Sequence, residues 1–204
     1  MPAQPDYFSL FQLPARFALD LGALEQSYRS VQAQVHPDRF GAASGAEKRV
    51  AMQWAAHANE AVGTLRSPVK RAAYLCELHG VPIAAESNTA MPAAFLMQQM
   101  QWREALEEGA ERPALKRLRA DVDGVRAELL EQLADALDAR GDYAAAAALV
   151  RQLMFVEKFA AEVAAAGDKL DERDPHPRPS PADAGEGRKP LPASAGEGGR
   201  TAGG

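Results

Sequence analysis

The chain has 204 residues, 47% of them hydrophobic and 25% charged, with a formal net charge of −5 at pH 7. That length accommodates one ordinary domain or two small ones, and a single cysteine, Cys76, excludes an internal disulfide and any paired-cysteine metal knuckle. Basic side chains number eight against seven acidic ones over residues 1–79, ten against fifteen over 80–170 and five against six beyond. No segment has the positive surplus that phosphate-backbone binding needs, so nucleic acid is not an expected partner, whereas the acidic middle suits a positively charged protein.

Taken in chain order, the first residues, "MPAQPDYFSL", show no basic region leading into an apolar run. The longest near-apolar run, "YAAAAALV", is too short to cross a bilayer. A cytoplasmic location without membrane contact is expected. Asp20 stands where an N-cap belongs, before "LGALEQSYRSVQAQV", whose Leu24, Tyr28, Val31 and Val35 recur at helical spacing. This helix should stop at His36, because a residue that precedes proline is pushed out of the α region. A second long helix is predicted from about Ala46 to Arg66, with Val50, Trp54, Ala58, Ala61 and Leu65 as the stripe that packs antiparallel on the first. Ser67 and Pro68 then supply an N-cap and a proline at N1 for a shorter helix closed by Gly80.

After the loop "VPIAAESNTAMP" come three more helical stretches, near 93–109, 112–140 and 142–166, the last two separated by "RGDY". Such short connections imply antiparallel neighbours and a small three-helix bundle, so the fold class is all-α. From about 168 the sequence is dominated by Pro, Gly, Ala and charge, including the near-repeats "SPADAGEG" and "LPASAGEG". With almost nothing apolar to bury, 168–204 is predicted to be a disordered, low-complexity tail.

Three local patterns carry chemistry or contact. In "QVHPDRF", His36 and Asp38 flank Pro37. A metal would need further ligands, and His57, His79 and His176 show no ligand spacing with His36. An acid/base pair would need a nucleophile and a pocket. The geometry better suits a contact loop, with proline breaking the helix and holding an imidazole and a carboxylate out between two long helices. In "AAFLMQQMQWREALEEG", Phe95, Gln99, Trp102 and Leu106 share one helix side. Leu96, Met97, Met100, Gln101, Glu104 and Glu108 occupy another. Periodicity leaves open whether the bundle buries a wide stripe or exposes the methionines as an adaptable docking surface. Phe155 lies off the edge of the compact stripe Leu149, Leu153, Val156, Ala160 and Val163, and is equally readable as a core-edge residue or a contact. Cys76 and His79, at i and i+3, could be drawn as a nucleophile and base, but a lone cysteine on an apolar helix face is usually core.

The "HPD" tripeptide, preceded by "DYFSLFQLP" and "YRSVQAQV" and followed by "RF" and "NEAVGTLRSPVKRAAYL", resembles a J-domain. That resemblance implies a loop that docks on an ATP-bound DnaK-type chaperone and stimulates ATP hydrolysis. His36, Pro37 and Asp38 would be the activating residues, with Arg29 and Arg39 as electrostatic helpers. Arg29 is the one basic residue in a helix that usually carries several. Residues 5–166 as a whole are similar to the HscB family of iron–sulfur cluster assembly, on "DYFSLFQLPARFALD", "FLMQQMQWREALEE" and "VRQLMFVEKF". The resemblance implies a non-enzymatic co-chaperone with a J-domain over 1–79, a linker loop over 80–92 and a scaffold-binding domain over 93–167. Its partners would be an HscA chaperone and an IscU-type scaffold, the latter held by Leu96, Met97, Met100, Gln101, Glu104, Glu108 and Phe155. Gln101 stands where the family commonly has glutamate. Some eukaryotic relatives carry N-terminal CxxC pairs for zinc; this chain has none, so neither metal nor cofactor is expected. Two other readings share parts of this pattern: a general J-protein delivering unfolded clients to DnaK, and a small hydrolase built on Cys76 with His79 or His36.

Overall fold

In the computed structural model, which describes residues 5–35, 44–83, 91–108 and 111–173, every regular element is a helix. Asp6 starts the first, α1 (Tyr7–Leu10), by accepting from the backbone N–H groups of Phe8 and Ser9 at 3.0 Å. Asp20 does the same for α2 (Leu21–Val35), accepting from Gly22 and Ala23 at 2.8 and 3.1 Å. A capping box opens α3 (Gly45–Arg66): Glu47 donates its backbone N–H to Ser44 Oγ, and its carboxylate accepts from the Ser44 backbone. Ser67 caps α4 (Pro68–Leu78), which closes in a Schellman turn. Gly80 there sits at φ +75°, with Val81 N–H on the Cys76 carbonyl and Gly80 N–H on that of Glu77, both at 2.9 Å.

Cross-helix pairs give the directions. Glu25 meets Arg66 and Tyr28 Oη donates to Asn59 Oδ1 at 2.8 Å, so α2 and α3 run antiparallel and converge on the 36–43 connection. Leu24, Ala58, Ala61 and Leu65 are buried as the stripes predict. Val50 is not: it is 46% exposed, while Ala51 turns inward at 6%. Toward its loop end, α3 therefore buries a methyl group where the periodicity had placed an isopropyl group. Phe8 and Phe11 close the core from the α1 side, and Tyr7 stacks on Tyr74 of α4 with ring centroids 4.3 Å apart.

The second half is built from α5 (Ala93–Glu107), α6 (Arg112–Ala134) and α7 (Tyr143–Arg173). Trp102 stacks on Phe159 and Phe95 meets Phe155 edge-on, so α5 and α7 run parallel, with α6 antiparallel between them in sequence. Residues Asp135–Arg140 continue α6 as a wider π-helical turn, which stops at Gly141 with φ +63°. Asp142 then accepts from Ala145 N–H at 2.9 Å and starts α7. The last helix runs on to Arg173, past the predicted boundary at 167, because Leu170 continues its apolar stripe about two turns beyond Val163 and packs on the core. The remainder of the predicted tail, from 174, lies outside the described residues.

Helix α4 joins the two halves. Its Cys76 Sγ lies 3.7 Å from the Tyr143 carbonyl, and the His79 ring stacks on Tyr143 at 3.8 Å. Arg151 of α7 donates to the Ile83 carbonyl at 3.0 Å, holding down the first part of the connection that leads to α5.

Candidate functional site

The "HPD" residues His36, Pro37 and Asp38, together with Arg39, lie outside the described residues. Their setting does not: α2 ends at Val35, and after eight intervening residues the Ser44/Glu47 capping box begins α3. The tripeptide is thus confined to the connection of a hairpin whose stem is fixed by the Leu24 and Leu65 packing and the Tyr28–Asn59 bond. Arg29 is on the outer face of α2, three-quarters exposed, with Nε 3.3 Å from Glu25. Because Glu25 also accepts from Arg66, the charge of Arg29 is shared within a small surface network rather than standing alone.

The second constellation is a face of α5. Phe95 and Trp102 are buried, and Trp102 Nε1 donates to Asp121 Oδ2 of α6 at 2.5 Å. This anchoring fixes the helix rotation and turns the other stripe outward. Leu96, Met97 and Met100 are 45, 64 and 73% exposed, and Gln101, Glu104 and Glu108 lie exposed beside them. Of the two readings periodicity allowed, the wide buried stripe is thereby excluded. Phe155 is half-buried, edge-on to Phe95 at 6.0 Å and stacked parallel with Phe159 at 6.2 Å. It therefore belongs to the aromatic seam beneath α5 as well as to the surface. Two residues of this region were not singled out from the sequence. Phe159, one turn after Phe155, is the buried plate under Trp102, a position its i+4 spacing could have indicated. Met154 is an exposed apolar neighbour of Phe155 at 45%, and nothing in the helical period marks it.

The chemical alternatives find little support. Cys76 is fully buried, and burial, with a smaller contribution from the Glu77 charge, pushes its thiol up to about 11. His79 Nδ1 lies 2.8 Å from the Leu75 carbonyl, which can only accept, so that nitrogen carries the hydrogen and is spent on the backbone. His57 sits among Tyr7, Trp54 and the Pro5 carbonyl. Among the described residues no group of three or more His, Cys, Asp or Glu could hold a metal ion, and no helix is long and apolar enough to cross a membrane. A groove of about 600 Å³ is lined by Leu10, Phe11, Gln12, Val31, Gln34 and Trp54 among others, with no titratable side chain in its wall. Native protein is accordingly expected to resist thiol alkylation at pH 8, where about one Cys76 in a thousand would be ionised even if solvent reached it. Labelling followed by mass spectrometry should show reaction only after denaturant is added. Rapid labelling of the folded chain would contradict the buried assignment and reopen the nucleophile reading.

Comparison with known proteins bears on about four-fifths of the chain. A family described as "HSCB C-terminal oligomerisation domain" matches residues 91–164. A Bordetella petrii protein named "Co-chaperone protein HscB homolog" is 58% identical over 165 residues, covering 80% of this chain and 97% of that protein. Among solved structures, "Chaperone HscB from Vibrio cholerae" superposes with a TM-score of 0.72 at 36% identity, covering 81% of this chain and 99% of that one. The human co-chaperone protein HscB superposes with a TM-score of 0.76 at 27% identity, covering 84% of each chain.

Proposed function

Since the chain belongs to the HscB co-chaperone family, we propose that it brings an IscU-type iron–sulfur scaffold to an HscA chaperone of the DnaK type and stimulates that chaperone's ATPase in the cytoplasm. The J-domain in this proposal spans 1–79, and 80–92 links it to a scaffold-binding domain over 93–167. The observation that carries it is the α5 face, where Leu96, Met97 and Met100 stand exposed beside Gln101, Glu104 and Glu108. Large apolar side chains in solvent mark a protein contact, and methionines adapt to an irregular partner. The acidic neighbours favour a partner surface of positive charge. Phe155 supports the patch from below.

His36, Pro37 and Asp38, with Arg29 and Arg39 alongside, would engage the chaperone at the hairpin connection. Each partner then meets its own surface on one body, and each raises the effective concentration of the other. The chain needs no bond-making chemistry for this role, in keeping with relatives named co-chaperones.

Calorimetric titration with the IscU-type scaffold of the same organism, beside a steady-state ATPase assay of its HscA, tests the reading. Saturable scaffold binding and stimulated hydrolysis are expected. A chain that stimulates DnaK and binds unfolded polypeptides broadly, but ignores the scaffold, would instead be a general J-protein.

A further inference from the structure

One carboxylate joins two regions 120 residues apart in sequence. Asp138, in the π-helical turn after α6, accepts the backbone N–H of Phe17 on Oδ1 and that of Ala18 on Oδ2, both at 2.7 Å. The segment it grips connects α1 to α2 and has no helix of its own to satisfy those donors. Phe17 is buried, and the guanidinium of Arg71 covers its ring at 5.1 Å. Arg71 is buried too, and one of its terminal nitrogens donates to the Leu65 carbonyl at 2.5 Å, at the end of α3. The last turn of α3, the start of α4, the 17–18 segment and the π-helical turn therefore meet at one point. Its polar contacts join the hairpin half to the bundle half.

We propose that Asp138 is a positioning residue, whose paired hydrogen bonds to Phe17 and Ala18 lock the direction of the α2–α3 hairpin relative to α5. The core closes without it: Phe8, Phe11, Leu24 and Leu65 in the hairpin half and Leu133, Val150, Val156 and Phe159 in the bundle half belong to one cluster and are all almost wholly buried. The Ala18 contact is exposed and Asp138 is partly exposed, so loss of the carboxylate returns the Ala18 amide to water and leaves the part-buried Phe17 N–H without its acceptor. What remains across the junction is packing of α4 on α7, including the His79–Tyr143 stack, with the Cys76 contact to the Tyr143 carbonyl and the Arg151 bond to the Ile83 carbonyl, and neither of those two bonds holds the 17–18 segment. The benefit of a fixed direction rests on the two-partner reading above, but the lock itself does not.

Its test needs no partner. Nitroxides are placed at Met52→Cys on α3 and Ala105→Cys on α5, both exposed sites, while buried Cys76 stays unlabelled. Pulsed electron spin resonance then reads the distance between them. The parent should give a single narrow distribution, and Asp138→Ala should lose it for a broad one while helical circular dichroism and cooperative unfolding persist. Asp138→Asn keeps one acceptor oxygen but presents an amide donor to the second N–H, and should fall between. An unchanged distribution in Asp138→Ala overturns the proposal. If that variant fails to fold, a parent-like distribution in Asp138→Asn overturns it equally. With both partners added, Asp138→Ala should retain scaffold affinity and lose scaffold-dependent ATPase stimulation; failure of binding in the parent itself would count against the functional reading and leave the distance result standing.

Discussion

His36→Gln is expected to lose at least about nine-tenths of its ATPase stimulation, a deficit of roughly 1.4 kcal/mol or more in the coupling, while remaining folded. The stem of its hairpin is fixed by Leu24 and Leu65 in the core, by the Tyr28–Asn59 bond and by the Glu25–Arg66 pair. The return of the chain into α3 is secured by Ser44 and Glu47. None of these contacts involves residue 36, so the substitution should leave the helical circular dichroism and the melting temperature unchanged. Scaffold affinity should also be retained, because the α5 face is on a different helix packed in the other half of the chain. Glutamine keeps a hydrogen-bonding side chain of similar reach but cannot carry the imidazole's charge or ring. Stimulation that survives in His36→Gln would remove the J-loop role from this tripeptide, whatever the family resemblance.

The helix boundaries were largely legible because they depend on local chemistry. Asp20, Ser67 with Pro68, and Gly80 each act on backbone groups within a few residues and are found capping or stopping a helix where the sequence places them, and "RGDY" separates two helices because Gly141 stops one and Asp142 caps the next. The outward stripe of α5 was half legible. Periodicity separates Leu96, Met97 and Met100 from Phe95 and Trp102, but only the Trp102–Asp121 bond and the Phe159 stack decide which side faces in. Non-local terms were invisible. Val50 shares its period with Ala58 and Leu65, yet is exposed because burial depends on what lies opposite, and Ala51 takes the inward position. The continuation of α7 to Arg173 was hidden by a composition that reads as tail, although Leu170 still finds the core. Asp138 reads as one more acid on a polar helix; its bonds to Phe17 and Ala18 are set by tertiary structure alone.

The triple substitution Leu96→Ala/Met97→Ala/Met100→Ala should raise the dissociation constant for the scaffold by two orders of magnitude or more. Fully burying one such side chain contributes about 1.5–3 kcal/mol. These three are 45 to 73% exposed in the free chain, so a partner that covers them gains much of that amount at each. A combined loss of roughly 3–5 kcal/mol corresponds to a factor of a hundred to several thousand. The same exposure predicts almost no cost in stability, since alanine at these sites removes little that is packed and favours the helix. Phe155 is better left intact in this experiment: it touches Phe95 and Phe159, so truncating it would loosen the seam that orients α5 and confuse lost contact with lost structure. Calorimetry on the folded triple variant, beside its unfolding curve, separates the two effects. Binding that persists within a few-fold of the parent would mean that the scaffold docks elsewhere, and the methionine face would need a different partner. Unchanged stability with binding lost would establish that α5 keeps these side chains in solvent for the sake of the complex.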